Sequence, residues 1–95
     1  MPQVGELLRW ETTKMTDNDL NAIEERWRAA RSGQWVSFVE GRDHLAGSSF
    51  IKVGEGDNRS DDIELTGATV ADQDFIAACK QDIPALIAEV RRLRS

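Results

Sequence analysis

The sequence predicts an α+β domain in which helices pack on one face of a small antiparallel sheet. Apolar residues recur at helical spacing before residue 33 and after residue 69, whereas β-branched and aromatic residues fill the strand-like runs between them. The chain has 95 residues, of which 40% are hydrophobic and 31% charged, a composition typical of one globular domain. The predicted order is an N-terminal helix, a three-stranded antiparallel meander and two C-terminal helices.

The first helix has a defined start and end. Thr16 is a suitable N-cap, with Asp19 at the third helical position of a capping box, and Gly33 favours termination. Its apolar stripe consists of Leu20, Ile23, Trp27 and Ala30. The domain is therefore predicted to span residues 16–95, with residues 1–15 as a weakly structured lead-in.

Three strands follow this helix. The β-branched and aromatic runs are 35–39, 49–53 and 61–66. In the third run, strict alternation predicts that Ile63 and Leu65 face the core while Asp62 and Glu64 face water. The connections are short, so consecutive strands are expected to pair as an antiparallel meander.

Two helices are predicted to end the chain. Thr69 caps the first with Asp72, and Asp82 caps the second, whose first turn contains Pro84. The predicted apolar positions are Phe75, Ile76 and Cys79 in the first helix, and Leu86, Ile87, Val90 and Leu93 in the second. A bend at residues 81–82 would separate the two helices.

Charge is concentrated in the middle of the chain. The formal net charge is −5, and residues 40–74 carry three bases against nine acids. Such a segment repels phosphate backbones and attracts basic protein surfaces, so direct nucleic-acid binding is not expected. The predicted acidic face consists of Asp57, Asp61, Asp62 and Glu64.

The cysteine content and the hydropathy pattern predict a cytoplasmic protein. Cys79 is the only cysteine, which excludes an internal disulfide. Apolar runs are too short to span a membrane, and the N-terminus lacks the pattern of a signal peptide. We expect no membrane partner.

The connection at residues 40–49 is the predicted binding site, because connections between strands often carry function. Its chemically distinctive residues are Glu40, Arg42, Asp43, His44, Ser48 and Ser49. Arg42 and the backbone amides of residues 47–49 resemble an anion cradle, although no P-loop lysine follows them. A small phosphorylated or nucleotide ligand, in a site completed by a homodimer, is therefore one hypothesis.

The same ten residues contain the groups of a hydrolase triad. Asp43, His44 and a serine at 48 or 49 supply an orienting acid, a base and a nucleophile. Adjacent residues usually point apart on extended chain, so we favour a protein that is not an enzyme. The single histidine and the remote cysteine do not suffice for a structural zinc site, and we expect no metal and no cofactor.

Three segments carry recognisable motifs. They are residues 22–35, which end in Gly33-Gln34-Trp35, residues 71–78, and residues 82–93. The last two resemble the patterns A-D-x-x-F-I-A and D-x-P-x-L-L-x-E-V-x-R-L. Together the three segments resemble a family of small phage, prophage and bacterial proteins that includes the Ead-like prophage proteins. Family members often carry Pro-Gly-Pro before the tryptophan, where this chain has 31–34, Arg-Ser-Gly-Gln.

The resemblance implies a mobile-element origin and assigns no active site. Combined with the charge pattern, it predicts a non-enzymatic inhibitor or modulator that binds a basic surface of a host protein through the acidic face and the 40–49 loop. Small-ligand binding is the first alternative and hydrolysis the second.

Overall fold

The computed structural model describes residues 14–95 and confirms the α+β class. The predicted lead-in, apart from Lys14 and Met15, lies outside these residues. The elements are α1 (Asp17–Ala29), β1 (Trp35–Phe38), β2 (Phe50–Val53), a 3₁₀ turn (Gly56–Asn58), β3 (Ser60–Ile63) and α2 (Val70–Arg94). The strands pair antiparallel in the order β1-β2-β3, so the predicted meander is also confirmed.

Both helices begin at the predicted capping boxes. Thr16 Oγ1 accepts from the Asp19 amide at 3.0 Å, and the Asp19 carboxylate accepts from the Thr16 amide at 2.9 Å. Thr69 and Asp72 repeat this arrangement at 3.0 Å in each direction. Each box satisfies two amides that have no partner inside the helix.

The prediction of two C-terminal helices is wrong, because a single helix of 25 residues occupies this part of the chain. Pro84 lies inside that helix, where it cannot donate to the carbonyl of Lys80 four residues earlier. The Trp27 indole Nε1 of α1 donates to that carbonyl at 2.8 Å. A side-chain bond from the neighbouring helix thus replaces the missing main-chain bond, and Asp82 lies on the helix surface without capping anything.

The two helices do not both cover the sheet. Within residues 14–95, α2 packs on β1, on β2 and on α1, while the backbone of α1 approaches only α2. On the sheet, Ser37 pairs with Ile51 and Trp35 with Val53, and these residues face α2. Ile51 and Val53 are completely buried.

The polar residue Gln73 occupies a core position of α2 that the apolar pattern did not predict. Only 4% of its surface is exposed. Its Nε2 donates to Ser37 Oγ at 2.9 Å and lies 3.2 Å from the carbonyl oxygens of Phe38 and Phe50. Because an amide buried without partners would be costly, these contacts hold α2 in one rotation over β1 and β2.

That rotation leaves four predicted core residues of α2 outside the core. Phe75, Ile76, Leu86 and Leu93 are 70%, 36%, 60% and 68% exposed. Ile87 is buried as predicted, and Ala77, which the apolar pattern did not include, is buried as well. The amphipathic pattern therefore predicted helical structure in this part of the chain but divided it into two helices and assigned part of the apolar side to the wrong face.

Strand β3 contains a bulge. Ile63 lies opposite Ile51, whereas Ser60 lies opposite Val53, so three steps along β3 match two steps along β2. Without the bulge, Asp61 would lie on the same face as Ile63. With the extra residue, Asp61 and Asp62 are both exposed.

Candidate functional site

The 40–49 loop begins with a tight turn after β1. The amides of Arg42 and Asp43 donate to the Val39 carbonyl at 3.1 and 2.8 Å, and the Gly41 amide donates to the His44 carbonyl at 2.9 Å. Gly41 has φ +83°, a conformation that glycine adopts without steric cost. The turn brings the predicted site residues within reach of one another and of α2.

Arg42 is bound by two carboxylates. Its Nη1 and Nη2 donate to the two oxygens of Asp74 on α2 at 2.7 and 3.0 Å. Its Nε and Nη2 donate to Asp43 Oδ2 at 3.1 and 2.9 Å. These bonds raise the pKa of the arginine, and the bond to Asp74 contributes more than the bond to Asp43. A phosphate group would therefore have to displace Asp74 to bind Nη1 and Nη2 of Arg42 together.

The two carboxylates respond in the opposite direction. Hydrogen bonds from Arg42, and to a smaller extent from Ser37, lower the pKa of Asp74 to about 2. Bonds from Arg42 and from the Val39 amide lower the pKa of Asp43. Both groups are therefore ionised whenever the protein is folded near neutral pH.

Polar side chains also hold the rest of the loop together. Asp43 Oδ2 accepts from the Val39 amide at 2.8 Å, and Glu40 Oε2 accepts from the Gly47 amide at 2.8 Å. Ser49 Oγ accepts from the Glu40 amide at 3.1 Å. Three of the predicted site residues therefore stabilise the loop conformation.

His44 packs on the sheet face opposite α2. Its ring lies 6.1 Å from the Phe38 ring and 5.1 Å from the Phe50 ring, measured between centroids, in edge-on geometry. Nδ1 accepts from the Ala46 amide at 3.0 Å, so the neutral ring carries its proton on Nε2. Nε2 is buried and has no hydrogen-bond partner among the described residues.

These contacts do not assemble a nucleophilic triad from residues 43–49. The Asp43 carboxylate is bound to Arg42 and to the Val39 amide, and Nδ1 of His44 accepts a hydrogen bond from the Ala46 amide and not from a serine hydroxyl. Ser49 Oγ accepts a hydrogen bond from the Glu40 amide.

In residues 14–95, no three His, Cys, Asp or Glu side chains are grouped as metal ligands.

Of the loop, the most exposed large side chain is apolar. Leu45 is 86% exposed, and Ser48 is also exposed. The binding role predicted for the polar residues stays a prediction. Their internal bonds mean that the loop presents a fixed shape with Leu45 at its surface.

The acidic face lies along β3 and the 3₁₀ turn before it. Asp57, Asp61, Asp62 and Glu64 are all exposed. Asp62 pairs with Arg59 at 2.5 Å, and Arg31 donates to the backbone carbonyl of Asp61 at 2.8 Å. In the described chain, the carboxylates of the other three residues form no ion pair.

Sequence reasoning missed the role of Asp74. It lies 32 residues from Arg42, and an acidic residue near the N-terminus of a helix is already explained by the helix dipole. One feature of the sequence could have indicated this role: Asp72 already completes the capping box, so Asp74 is not needed as a helix cap.

Comparison of this chain with models of protein families, with curated proteins and with solved structures gives no match. The resemblance to prophage proteins therefore stays a prediction from the three segments that carry it. Neither of the two helices in residues 14–95 combines the length and the apolar character that crossing a membrane requires.

Replacing Asp74 by Asn should flatten the acid dependence of stability. The pKa of this carboxyl is lower in the folded protein than the ordinary 3.8, so its contribution is complete above 3.8 and is lost as the pH falls towards about 2. Urea unfolding midpoints measured across this range would show a shallower slope for Asp74→Asn. An exposed carboxylate of the same helix provides the control, Asp82→Asn, and equal slopes for both variants would contradict the assignment.

Proposed function

We propose that this chain is a non-enzymatic binding module that recognises a basic surface on another protein. The observation that carries the proposal is an exposed aromatic residue, Phe75, next to the end of the acidic face. Strand β3 leads through Glu64 and Leu65 into the turn before α2, and Leu65, Asp72 and Phe75 line one open cleft of about 470 Å³. Asp72 therefore shares this cleft with the apolar side chains of Leu65 and Phe75, and the acidic face ends one residue before Leu65.

Electrostatics would govern the first encounter with such a partner. The carboxylates of Asp57, Asp61 and Glu64 lack ion-pair partners within residues 14–95; Arg59 pairs with Asp62, and Arg31 contacts the backbone carbonyl of Asp61 and not its carboxylate. Uncompensated charge of one sign raises the association rate with an oppositely charged surface and makes that rate sensitive to salt.

Phe75 would supply the affinity that surface charge does not. Solvent-exposed ion pairs contribute little, whereas aromatic side chains that enter a pocket of the partner are among the strongest contributors to binding. At 70% exposure, Phe75 has most of its ring available for such a contact. Leu45 on the 40–49 loop offers a second apolar contact.

Small-ligand binding at the 40–49 loop is the weaker candidate. Arg42 would have to exchange the Asp74 carboxylate for phosphate, and Glu40, Asp43 and Ser49 would have to release backbone amides. The sequence resemblance further predicts that the binding module is encoded by a mobile element and acts as an inhibitor or modulator of its partner.

A paired substitution on the acidic face should weaken partner binding. We expect Asp61→Asn with Glu64→Gln to lower the association rate by about tenfold at low salt, and Phe75→Ser to raise the dissociation rate. The tagged full chain would be used to recover proteins from a bacterial lysate, and the rates would then be measured with the purified partner by surface plasmon resonance.

The matched control changes the same amount of charge elsewhere. Glu25 on α1 and Asp82 on α2 are exposed and lie away from β3, so Glu25→Gln with Asp82→Asn should leave the association rate nearly unchanged. If both double variants lowered the association rate equally, the acidic face would act only through the net charge of the protein. A partner that is retained equally by all variants would contradict the proposed surface.

A further inference from the structure

A second, mainly apolar cleft lies where α1, β1 and α2 meet, away from the 40–49 loop. Its volume is about 380 Å³, within the range of roughly 300–1,000 Å³ that small-molecule sites occupy. Its apolar walls are formed by Ile23, Trp27, Trp35, Ile76 and Ile83. Two cationic side chains also line the cleft. Lys80 lies at the wall that contains the two tryptophans, whereas Arg26 occupies an exposed position on α1.

The ammonium group of Lys80 lies against both indoles. Its Nζ is 4.6 Å from the centre of the Trp27 ring and 5.4 Å from that of Trp35. Among residues 14–95, no carboxylate forms an ion pair with it. Burial without such a partner lowers the pKa of the lysine, which is the response of a cation that lacks a counter-charge.

This wall is held firmly in place. Trp27 Nε1 donates to the Lys80 carbonyl that Pro84 leaves open, and Trp35 Nε1 donates to the Arg31 carbonyl at 3.2 Å. Both indole N–H groups are therefore occupied, so the rings present apolar faces to the cleft and Lys80 presents the charge. A preorganised wall of this kind reduces the entropy lost on binding.

We propose that this cleft binds a small organic acid with a flat aromatic or branched aliphatic body. The body would lie against the tryptophan and isoleucine side chains, and the carboxylate would accept hydrogen bonds from the Lys80 ammonium. A cationic ligand would meet like charge at Lys80, and a neutral apolar ligand would cover the ammonium without compensating it. This proposal is independent of protein binding at the acidic face.

Cys79 provides a local readout, since it lines the cleft and is the only cysteine of the sequence. The probe is 2-naphthoate, and its uncharged analogue 2-naphthalenemethanol is the matched control ligand. We expect 2-naphthoate to slow alkylation of Cys79 by N-ethylmaleimide in the full-length protein, as followed by mass spectrometry. The neutral analogue should require about tenfold higher concentration for the same protection.

Two lysine variants separate a specific ion pair from general charge. Lys80→Met keeps most of the apolar stem and should weaken protection by 2-naphthoate about tenfold, while Lys80→Arg should retain it. Lys52→Met removes a cation that lies 5.8 Å from the Phe38 ring centre and pairs with Glu55, outside the cleft, and should leave protection unchanged. Circular dichroism would verify that each variant is folded.

The outcomes are distinct. Protection that depends on the carboxylate and on Lys80 supports the site. Equal protection by the neutral analogue, equal protection in the folded Lys80→Met variant, or no protection at millimolar 2-naphthoate would each overturn it. None of these results depends on whether the acidic face binds a protein.

Discussion

Substituting Gly54 by Ala is expected to destabilise the protein by at least about 3 kcal/mol, a large share of the stability of a small domain. Gly54 is buried at the end of β2 and has φ +77°. An added Cβ would lie 2.0 Å from the backbone oxygen of Asn58 and 2.8 Å from its carbonyl carbon. Since both are backbone atoms, the connection to β3 would have to move, at a cost beyond the roughly 1–2 kcal/mol of left-handed backbone.

Gly47→Ala is the matched control. Gly47 also has a positive φ, +101°, but an added Cβ would meet nothing within 4 Å. We expect the control to lose only the backbone preference of about 1–2 kcal/mol. Urea unfolding followed by circular dichroism would measure both losses. Losses of the same size would show that the contact with Asn58 relaxes without cost.

The second large effect concerns the proline inside α2. Trp27→Phe should destabilise the protein by about 2 kcal/mol, because the Lys80 carbonyl would lose the indole donor that, within residues 14–95, replaces the missing N–H of Pro84. In a Pro84→Ala background, the amide of residue 84 can bond that carbonyl again. The loss caused by Trp27→Phe should then fall by about 1 kcal/mol, as a double-mutant cycle would measure.

Trp35→Phe serves as the control for this cycle. The Trp35 indole donates to the Arg31 carbonyl, which lies outside α2 and does not depend on Pro84. Its effect on the free energy of unfolding should be the same in both backgrounds. If the Trp27 effect were also the same in both, the indole bond would not be the reason that the helix continues through the proline.

Much of the fold could be predicted from local chemistry. The Thr16 and Thr69 capping boxes depend on residues three positions apart, and the meander depends on short connections between β-branched runs. The continuity of α2 could not be predicted in this way. The donor that compensates for Pro84 lies 53 residues from the carbonyl it binds, and no pattern within the helix reveals it.

The candidate site shows the same limit. The sequence correctly indicated that residues 40–49 form a polar loop, but the partner of Arg42 on α2 and the position of His44 against Phe38 and Phe50 depend on packing between elements. Likewise, the rotation that exposes Phe75 follows from the buried Gln73 amide, which a hydrophobic pattern counts as polar.

The bulge in β3 bears on how another protein can attach to this one. β3 ends the sheet of the described chain, and a regular outer strand there would offer unpaired backbone groups as a template for a foreign strand. The extra residue interrupts that repeat, and adjacent carboxylates at Asp61 and Asp62 oppose the approach of a second backbone. Partners that extend the sheet are therefore disfavoured on this side, and recognition there has to proceed through side chains.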